Sequence, residues 1–347
     1  MKPRLLDLLM CPWCRADLAL TAFDGSAPGG EVVDGLLQCA CGRRFPIVNG
    51  IPRILEDALT LFPDFVQRYR DRLPPLPDIP VMRTRESFGY QWTQFSEMVI
   101  DFRDNFLKYI EPLDESFFPG KLGIDLGCGF GRHIYNAATF GAEMIGVDLS
   151  DAIESTRANT KDLPNVHLVQ ADVYHLPIRP GVLDFAYSIG VLHHTLDPEA
   201  AFRCLVSLVK PGGSVFVWVY SKSRSVWNVC LESVRAVTTR LPKRVQKGIS
   251  LAAALVDYGG FVGPYKLAIR VPGLRSVVER LPLQRLKLYS VYPFQVVYAD
   301  WFDRLAAPIR FYYDANDMEG WLTRAQLTRH RISPTGLFGW RAYGERA

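Results

Sequence analysis

The stretch KLGIDLGCGFGRHIYNAATFGAEMIGVDLSD, residues 121–151, decides the fold of this chain. It begins with an apolar run at 122–126, passes through Gly127, Gly129 and Gly131, and continues at helical spacing. A second apolar run then ends at Asp148. The order strand, glycine turn, helix, strand and acid predicts a βαβ unit that holds a nucleotide-like ligand. Glycines let the backbone approach such a ligand, and the next helix directs its free N–H groups toward it.

The segments after this unit alternate between strand and helix patterns. Residues 166–169 and 183–188 are predicted as the third and fourth strands, and 214–220 as a very apolar fifth strand after the turn KPGG. Residues 328–333 and 339–344 are predicted as two closing strands that follow a helix capped by Asn316 or Asp317. The alternation predicts an α/β protein with a parallel sheet, whose ligands bind beyond the carboxyl ends of the strands.

Five phrases in this region carry a family resemblance. DLGCGFG, GVDLS, QADVYHLPI, FAYSIGVLHH and LVKPGG resemble, in order, the motifs of class I S-adenosylmethionine-dependent methyltransferases, in the branch that includes quinone-biosynthesis and many small-molecule enzymes. The resemblance covers about 100 residues and is specific for the cofactor, not for the substrate. It implies a Rossmann-like fold with a seven-stranded sheet. A dinucleotide-binding dehydrogenase is the competing interpretation, but its fingerprint is G-x-G-x-x-G, which this turn lacks.

The same resemblance implies a set of residues that bind S-adenosylmethionine. The glycine turn would line its methionine and ribose portions, and acids at the strand ends would accept from the ribose hydroxyls and the adenine amino group. Local capping of the following helices is the alternative role for these acids, but their joint spacing favours the cofactor. The implied cofactor-binding residues are Asp125, Gly127, Cys128, Gly129, Gly131, Arg132, Asp148, Leu149, Asp172, Val173, Ser188 and Ile189.

Candidate catalytic and substrate residues follow from position. Arg132 opens a helix, where the dipole disfavours a cation, so it is predicted to reach the cofactor carboxylate or the substrate, with a solvent-facing role left open. His193 follows the fourth strand and is the candidate general base, with a structural role as its alternative. His194 and Tyr220 are candidate substrate contacts. A base is needed only if the acceptor is a hydroxyl or a carbon acid, because the displacement itself depends mainly on positioning.

The first 57 residues contain four closely spaced cysteines. Cys11 and Cys14 form one C-x-x-C pair, and Cys39 and Cys41 form a C-x-C pair, which departs from the commoner spacing. Four thiolates so arranged predict a structural Zn²⁺ site, with loss of the metal from one knuckle as the alternative. LLDLLMCPWC and LLQCACGRRFPIVNGIPRIL resemble the zinc-ribbon family whose free-standing members activate tRNA and translation-factor methyltransferases, and which is also fused to bacterial methyltransferases.

Residues 58–120 are rich in proline and are predicted to be a linker leading into short helices. The aromatic-rich segment 87–110 is predicted to be helical from Trp92 onward and to pack on the next domain. The alternative is that residues 87–92 fold over the ligand as a lid, which would place Tyr90 and Trp92 near the substrate. The remaining units are a zinc ribbon at 1–57, the methyltransferase domain at 121–220 and 311–347, and an insertion at 221–310 that shapes the acceptor site.

The insertion carries most of the positive charge. It holds 15 Lys and Arg against 5 Asp and Glu, a net charge of +10, so the rest of the chain carries −6 within a total of +4. Apolar residues recur at helical spacing in two stretches, 226–241 and 274–281, and predict basic amphipathic helices. Three roles stay open: a helical cap with dimer contacts, a face at a membrane surface that serves a lipid-type substrate, or binding of RNA or another polyanion.

Composition bounds the remaining possibilities. The seven cysteines are an odd number and four are bunched, which favours a metal site in a reducing compartment over a disulfide framework. The N-terminal apolar run is too short for a signal peptide, so we expect a cytoplasmic protein, with peripheral membrane contact through 221–310 as an option. The sequence leaves the oligomeric state open.

Three functions are compatible with these patterns. The first is a methyltransferase that acts on an oxygen, nitrogen or activated carbon of a small molecule or lipid-type metabolite. The second modifies RNA or protein and uses the ribbon and the insertion to bind its acceptor. The third is a non-catalytic S-adenosylmethionine-binding partner subunit, which the intact motif set disfavours.

Overall fold

The computed structural model describes residues 1–23, 30–73, 98, 100–336 and 338–347. The predicted lid at 87–92, with Tyr90 and Trp92, lies outside the described residues. The N-terminal region comprises a short helix and four strands joined in antiparallel pairs. These elements are α1 (Pro3–Leu8), β1 (Leu18–Ala22), β2 (Gly35–Cys39), β3 (Arg44–Val48) and β4 (Ile51–Ile54), followed by α2 (Ala58–Leu61) and α3 (Pro63–Arg68).

Seven further strands form the central sheet. They are β5 (Leu122–Leu126), β6 (Glu143–Asp148), β7 (Val166–Ala171), β8 (Leu183–Ile189), β9 (Val209–Tyr220), β10 (Leu327–Thr335) and β11 (Gly339–Arg346). Their order is β7-β6-β5-β8-β9-β11-β10. The first five are parallel, and β11 runs antiparallel to both β9 and β10. This arrangement confirms the predicted Rossmann-like α/β class and the two closing strands.

Helices cover the sheet, and its strands are buried on both faces. The covering helices include α4 (Arg103–Ile110), α5 (Arg132–Thr139), α6 (Ala152–Asn159) and α7 (Pro198–Leu208). All six residues of β7 are buried, as are residues 215–219 of β9. Such continuous burial explains why these strands appear as apolar runs in the sequence and not as alternating patterns.

The insertion is helical, as predicted. It contains α8 (Ser225–Thr238), α9 (Lys243–Asp257), α10 (Gly263–Ala268), α11 (Pro272–Val278), α12 (Gln284–Tyr289) and α13 (Phe294–Ala306). Helix α13 packs against both α8 and α9. Among the described residues, none of these helices combines the length and apolarity that a bilayer-spanning helix requires.

A last helix, α14 (Ala315–Arg324), precedes β10. Its N-cap is Asp314, not Asn316 or Asp317 as predicted. The Asp314 Oδ1 atom accepts from the Asp317 N–H at 3.0 Å, and the Asp317 Oδ2 atom accepts from the Asp314 N–H at 2.8 Å. This reciprocal pair is a capping box. Asp317, one of the two predicted caps, occupies the third helical position, and Asp314 caps the helix three residues earlier.

The sheet has more strands than the seven predicted. Strand β4 pairs in parallel with β7, through Arg53 opposite Gln170 and Ile54 opposite Ala171, so the N-terminal strands continue the central sheet to eleven strands. The Arg53 side chain is buried in this joint, where it donates to Gln170 Oε1 at 3.1 Å and pairs with Glu154. The sequence motifs of the two regions contain no signal for this pairing, because register between distant strands depends on tertiary packing.

Candidate functional site

The glycine turn lies at the carboxyl end of β5 and requires glycine at several positions. Gly127, Gly129 and Gly131 have φ angles of +81°, +57° and +94°. A Cβ atom on Gly127 would lie 2.4 Å from the side chain of Val191, and one on Gly131 would lie 3.1 Å from Thr156. Both the backbone conformation and the close packing of Val191 and Thr156 exclude larger residues at positions 127 and 131, so the turn is a tight, side-chain-free backbone loop.

Asp148 ties this turn to the end of β6. Its Oδ2 atom accepts from the Gly129 N–H at 2.9 Å, and its Oδ1 atom accepts from the Ser150 N–H at 2.8 Å and the Ser150 hydroxyl at 2.6 Å. Burial raises the pKa of Asp148. At the end of β7, Asp172 accepts from the Tyr174 N–H at 2.9 Å. Both acids thus make local contacts and also stand on neighbouring strand ends beside the glycine turn.

Two buried polar side chains, Asp125 and Ser188, lie beneath the turn. Asp125 is 1% exposed, and its Oδ2 atom has no hydrogen-bond partner among the described residues. Burial raises its pKa to about 8, against the smaller opposing effect of the nearby Tyr187 hydroxyl. Ser188 donates its hydroxyl to Leu126 O at 2.8 Å. Cys128 and Ile189 are buried next to them, while Leu149 and Val173 are half-buried.

A cavity of about 630 Å³ adjoins the turn. Phe130 and Arg132 line it from the turn, and Gly190, Trp218 and Tyr220 line it from the ends of β8 and β9. The facing wall comes from the insertion and from the segment after it, including Leu288, Tyr289, Val296, Ala299, Asp300, Asp303, Arg304, Arg310 and Tyr312. Its volume falls within the range of sites for small molecules.

Two paired acids dominate the facing wall. Asp303 accepts from the Tyr220 hydroxyl at 2.9 Å and from Arg310 at 3.3 Å, and the Arg310 guanidinium lies 4.7 Å from the centre of the Tyr220 ring. Asp300 pairs with Arg304 at 3.2 Å. Its side chain is 45% exposed, and the partial removal of water around it within the cavity raises its pKa. Neither acid is among the residues predicted from sequence. The sequence signal for them was ADWFDR, with two carboxylates at i and i+3 in an otherwise basic insertion.

The two predicted histidines pack against Tyr220, behind the side of the cavity that the sheet forms. Neither His193 nor His194 lines the cavity. His193 is fully buried, its ring centre lies 4.1 Å from that of Tyr220, and neither ring nitrogen has a hydrogen-bond partner among the described residues. Burial lowers the pKa of His193 well below its usual value, and that of His194 to about 4. Both rings are therefore neutral near pH 7, and the catalytic role of His193 stays a prediction.

Arg132 faces the cavity from the start of α5. Its Nε atom donates to His133 Nε2 at 3.1 Å, and its guanidinium lies 5.8 Å and 5.9 Å from the ring centres of Phe102 and Phe130. Of the residues predicted to contact the substrate, Tyr220 also lines the cavity. The structure therefore brings Arg132 and Tyr220 to one site, between the glycine turn and the insertion.

The four N-terminal cysteines form a separate cluster. The sulfur atoms of Cys11, Cys14, Cys39 and Cys41 all lie within 4.8 Å of one another, with 3.8 Å between Cys11 and Cys41 and 3.2 Å between Cys14 and Cys39. A tetrahedral Zn²⁺ with bonds of about 2.3 Å requires sulfur separations of about 3.8 Å. The donor set therefore fits zinc in type, number and spacing, even with the C-x-C pair.

Cys14→Ser should remove zinc from this cluster and destabilise the N-terminal region. Because binding energy at a structural zinc site is also folding energy, we expect the free energy of unfolding to fall by roughly 3 kcal/mol or more. Metal analysis and thermal unfolding measure the two effects. Cys230→Ser, at an exposed cysteine of the insertion, is the matched control and should change neither. Zinc retained at full occupancy in the Cys14→Ser protein would contradict the assignment.

Two family models match separate parts of the chain. Residues 124–217 match a family model described as a methyltransferase domain, and residues 2–50 match a model described as Trm112p-like protein. A ubiquinone biosynthesis O-methyltransferase from Proteus mirabilis is 28% identical over 140 residues, which are 40% of this chain and 57% of that protein. Across this and seven other curated relatives, the chain spans between 44% and 64% of the relative's length.

Two solved structures align with part of this chain. An S-adenosylmethionine-dependent methyltransferase from Mesorhizobium loti is 31% identical, with a TM-score of 0.30, over 32% of this chain and 50% of that one. A complex of the Haloferax volcanii Trm112 methyltransferase activator with a putative methyltransferase aligns at 19% identity and a TM-score of 0.36, over 42% of this chain and 66% of that one.

Proposed function

We propose that this chain, which carries a methyltransferase domain at residues 124–217 and a Trm112p-like domain at residues 2–50, methylates a small-molecule or lipid-type acceptor with S-adenosylmethionine. The proposal rests on one observation: Phe130 and Arg132, at the glycine turn, also line the cavity. A methyl donor held by the turn would adjoin an acceptor held in the cavity. Because the Proteus mirabilis relative is named an O-methyltransferase, an oxygen acceptor is favoured.

The residues of the turn fit S-adenosylmethionine. The glycine turn is a side-chain-free backbone loop in the left-handed conformation, which leaves its N–H groups accessible to a ligand. Asp125 lies beneath it with a pKa raised to about 8, so a cationic group bound nearby would favour its ionised form. Asp148 and Asp172 present carboxylates at adjacent strand ends, where ribose hydroxyls and an adenine amino group would find acceptors. When bound, the cofactor supplies an electrophilic methyl group on a sulfonium.

The protein contributes mainly position and exclusion of water. The turn fixes one reactant, and the aromatic side chains of Tyr109, Trp218 and Tyr220 confine the other, which lowers the entropic part of the barrier. The charged side chains of the facing wall, Asp300 with Arg304 and Asp303 with Arg310, are paired with one another. An uncharged or weakly polar acceptor can therefore enter without leaving a strongly unbalanced charge.

For a hydroxyl acceptor, Asp300 suits the role of general base better than His193 does. Asp300 lines the cavity, and its raised pKa makes it a stronger proton acceptor than an aspartate of ordinary pKa. His193 lies behind Tyr220 and does not reach the cavity. Asp303 is held by Tyr220 and Arg310, so its part is to orient Tyr220.

Asp300→Asn should lower kcat by roughly 100-fold, the usual contribution of one acid–base group. In the unchanged protein we expect activity to rise with pH as Asp300 loses its proton, with a midpoint above the ordinary range of aspartate. The variant should lose this acidic limb. Glu279→Gln, at an exposed carboxylate in the same insertion, is the matched control. If the His193→Gln variant lost the rise of activity with pH while the Asp300→Asn variant kept it, His193 and not Asp300 would be the general base.

Calorimetry with S-adenosylmethionine tests the first half of the proposal, and transfer of labelled methyl groups to fractionated extracts tests the second. Label should enter the small-molecule or lipid fraction. The alternative, modification of RNA or protein, takes its support from the +10 charge of the insertion. It predicts label in macromolecules and, for RNA, a steep loss of acceptor binding between low and moderate salt. No binding of S-adenosylmethionine to the purified protein would end the enzyme proposal.

A further inference from the structure

Helix α9 turns its polar side inward and its apolar side outward. The buried positions of this helix are Gln246, Ser250, Ala254 and Asp257. On the opposite side, Leu255 and Val256 are 56% and 68% exposed, and Phe261 just beyond the helix is 57% exposed. A surface helix of a globular protein normally shows the reverse, with its apolar stripe toward the core. The outward side of α9 therefore exposes an apolar surface.

Specific hydrogen bonds fix this orientation. Gln246 Nε2 donates to the carbonyls of Thr238 and Leu241, both at 2.9 Å. Asp257 accepts from Arg285 at 2.9 Å and from the Trp301 indole N–H at 2.8 Å. Because these buried bonds would be lost if α9 turned over, the outward position of its apolar side chains is a stable property of the fold.

Neighbouring helices repeat the pattern. In α8, Thr238 donates to Leu305 O at 2.8 Å on the buried side, while Val234 and Val237 are exposed. Among the described residues, fourteen of the sixteen large apolar side chains that are exposed belong to the insertion. They are Val229, Val234, Val237, Val245, Leu251, Leu255, Val256, Phe261, Leu267, Val271, Leu274, Val277, Leu281 and Val291. We call these side chains the apolar face. Their concentration in the insertion contrasts with the singly scattered apolar side chains that are normal on a protein surface.

Positive charge accompanies the apolar face. Arg240, Arg244, Arg270 and Arg280 are exposed, and none of them forms an ion pair with any residue that the structure describes. The insertion as a whole carries +10, against −6 for the rest of the chain. Exposed apolar side chains with unpaired arginines on short helices are the features of segments that lie in the interface of a membrane.

We propose that the apolar face docks onto an anionic lipid bilayer, with α8 to α11 lying along its surface. A second copy of the chain is a poorer occupant, because a symmetric contact through this face would bring two +10 surfaces together. An anionic bilayer satisfies both the apolar side chains and the arginines, and each arginine near such a surface strengthens binding roughly fivefold.

Docking would also bring the cavity close to the lipid. Helix α13 packs beneath α8 and α9 and lines the cavity through Val296, Ala299 and Asp300. The apolar face and the cavity are thus the two sides of one helical layer. A lipid-type acceptor would have a short path from the bilayer to the site, although docking itself does not depend on the methyltransferase proposal.

Vesicle flotation of the full chain tests the proposal. The probe is phosphatidylcholine vesicles with roughly one lipid in three replaced by phosphatidylglycerol, compared with vesicles of phosphatidylcholine alone. We expect binding to the anionic vesicles and at least a tenfold loss of binding in the variant Leu255→Asp, Val256→Asp, Phe261→Asp. Leu196→Asp is the matched control, because Leu196 is equally exposed but lies outside the insertion, and it should bind like the unchanged protein.

A second set of measurements keeps the test decisive. Since the substituted side chains are exposed, melting temperature and S-adenosylmethionine affinity should stay unchanged in the triple variant. The charge variant Arg240→Glu, Arg244→Glu should lose binding to anionic vesicles while leaving the fold intact. Equal binding of the unchanged protein and the triple variant would overturn the proposal. So would a dimer in solution that the triple variant dissolves without any binding to vesicles, since the apolar face would then join two copies.

Discussion

Gly127→Ala should abolish most of the affinity for S-adenosylmethionine, by roughly two orders of magnitude in the dissociation constant. Residue 127 has a φ angle of +81°, which costs an L-residue about 1–2 kcal/mol. Its new Cβ would lie 2.4 Å from Val191, so the turn must move away from the position in which its N–H groups meet a ligand. Together these costs reach about 3 kcal/mol, and each 1.4 kcal/mol is a factor of ten in binding. Calorimetry measures the loss.

Gly212→Ala separates the clash from the backbone cost. Gly212 has nearly the same φ angle, +77°, but a Cβ there meets nothing within 4 Å. This variant should lose about 1 kcal/mol of stability and keep its affinity for S-adenosylmethionine. Adding Val191→Ala to Gly127→Ala removes the two closest contacts but leaves the Val191 Cβ at 2.9 Å, so it should restore part of the binding. Unchanged affinity in the Gly127→Ala protein would show that the turn does not hold the cofactor.

Arg53→Met should lower the free energy of unfolding by about 2–4 kcal/mol. The Arg53 guanidinium joins β4 to the region that matches the methyltransferase model through Gln170 and Glu154, and it also donates to Val48 O of the neighbouring strand β3. Its removal leaves the Gln170 amide buried with an unmet acceptor, which costs about 1–3 kcal/mol, and breaks a largely buried ion pair. The expected loss stays below the full value for a buried pair because Glu154 is partly exposed. Urea unfolding followed by circular dichroism measures the change.

Arg4→Met is the matched control for this contact. Arg4 also joins the N-terminal region to the methyltransferase domain, through Glu143, but its side chain is 52% exposed. Exposed pairs contribute at most about 0.5–1 kcal/mol, so this variant should unfold almost like the unchanged protein. If the two variants had equal stability, the buried joint would contribute no more than a surface pair, and the two regions would be only loosely coupled.

The proposed cofactor-binding half of the site follows from sequence because its residues are close together in the chain. Gly127, Gly129 and Gly131 lie within five residues, and Asp148 follows one helix later. The βαβ unit brings them together through local geometry alone. The acceptor half is different. Asp300 and Arg310 meet Arg132 and Trp218 only because the insertion folds back over the sheet, and no local pattern specifies that packing.

The insertion shows a second limit of periodicity. Helical spacing of apolar residues in 226–241 correctly predicted α8, but the pattern defines two faces without saying which one is inside. Here Arg235 and Thr238 are buried through bonds to Ala307 O and Leu305 O, and the valines point outward. The sequence also does not predict how deeply His193 is buried. The motif places it near the strand end, but only the packing of Tyr220 against it shows that it is enclosed.

The joint between β4 and β7 bears on solubility. A strand at the border of a sheet presents unpaired N–H and C=O groups that recruit strands from other molecules. Strand β7 is buried at every position and would be such a border without β4. At the opposite border, β10 has its own protection, with an irregular register between Thr328 and Arg331 and exposed charged side chains. If the cysteine cluster holds zinc as we propose, a protein that loses the metal, and with it the packing of β4, should therefore precipitate through its β7 border while the rest of the central sheet is still folded.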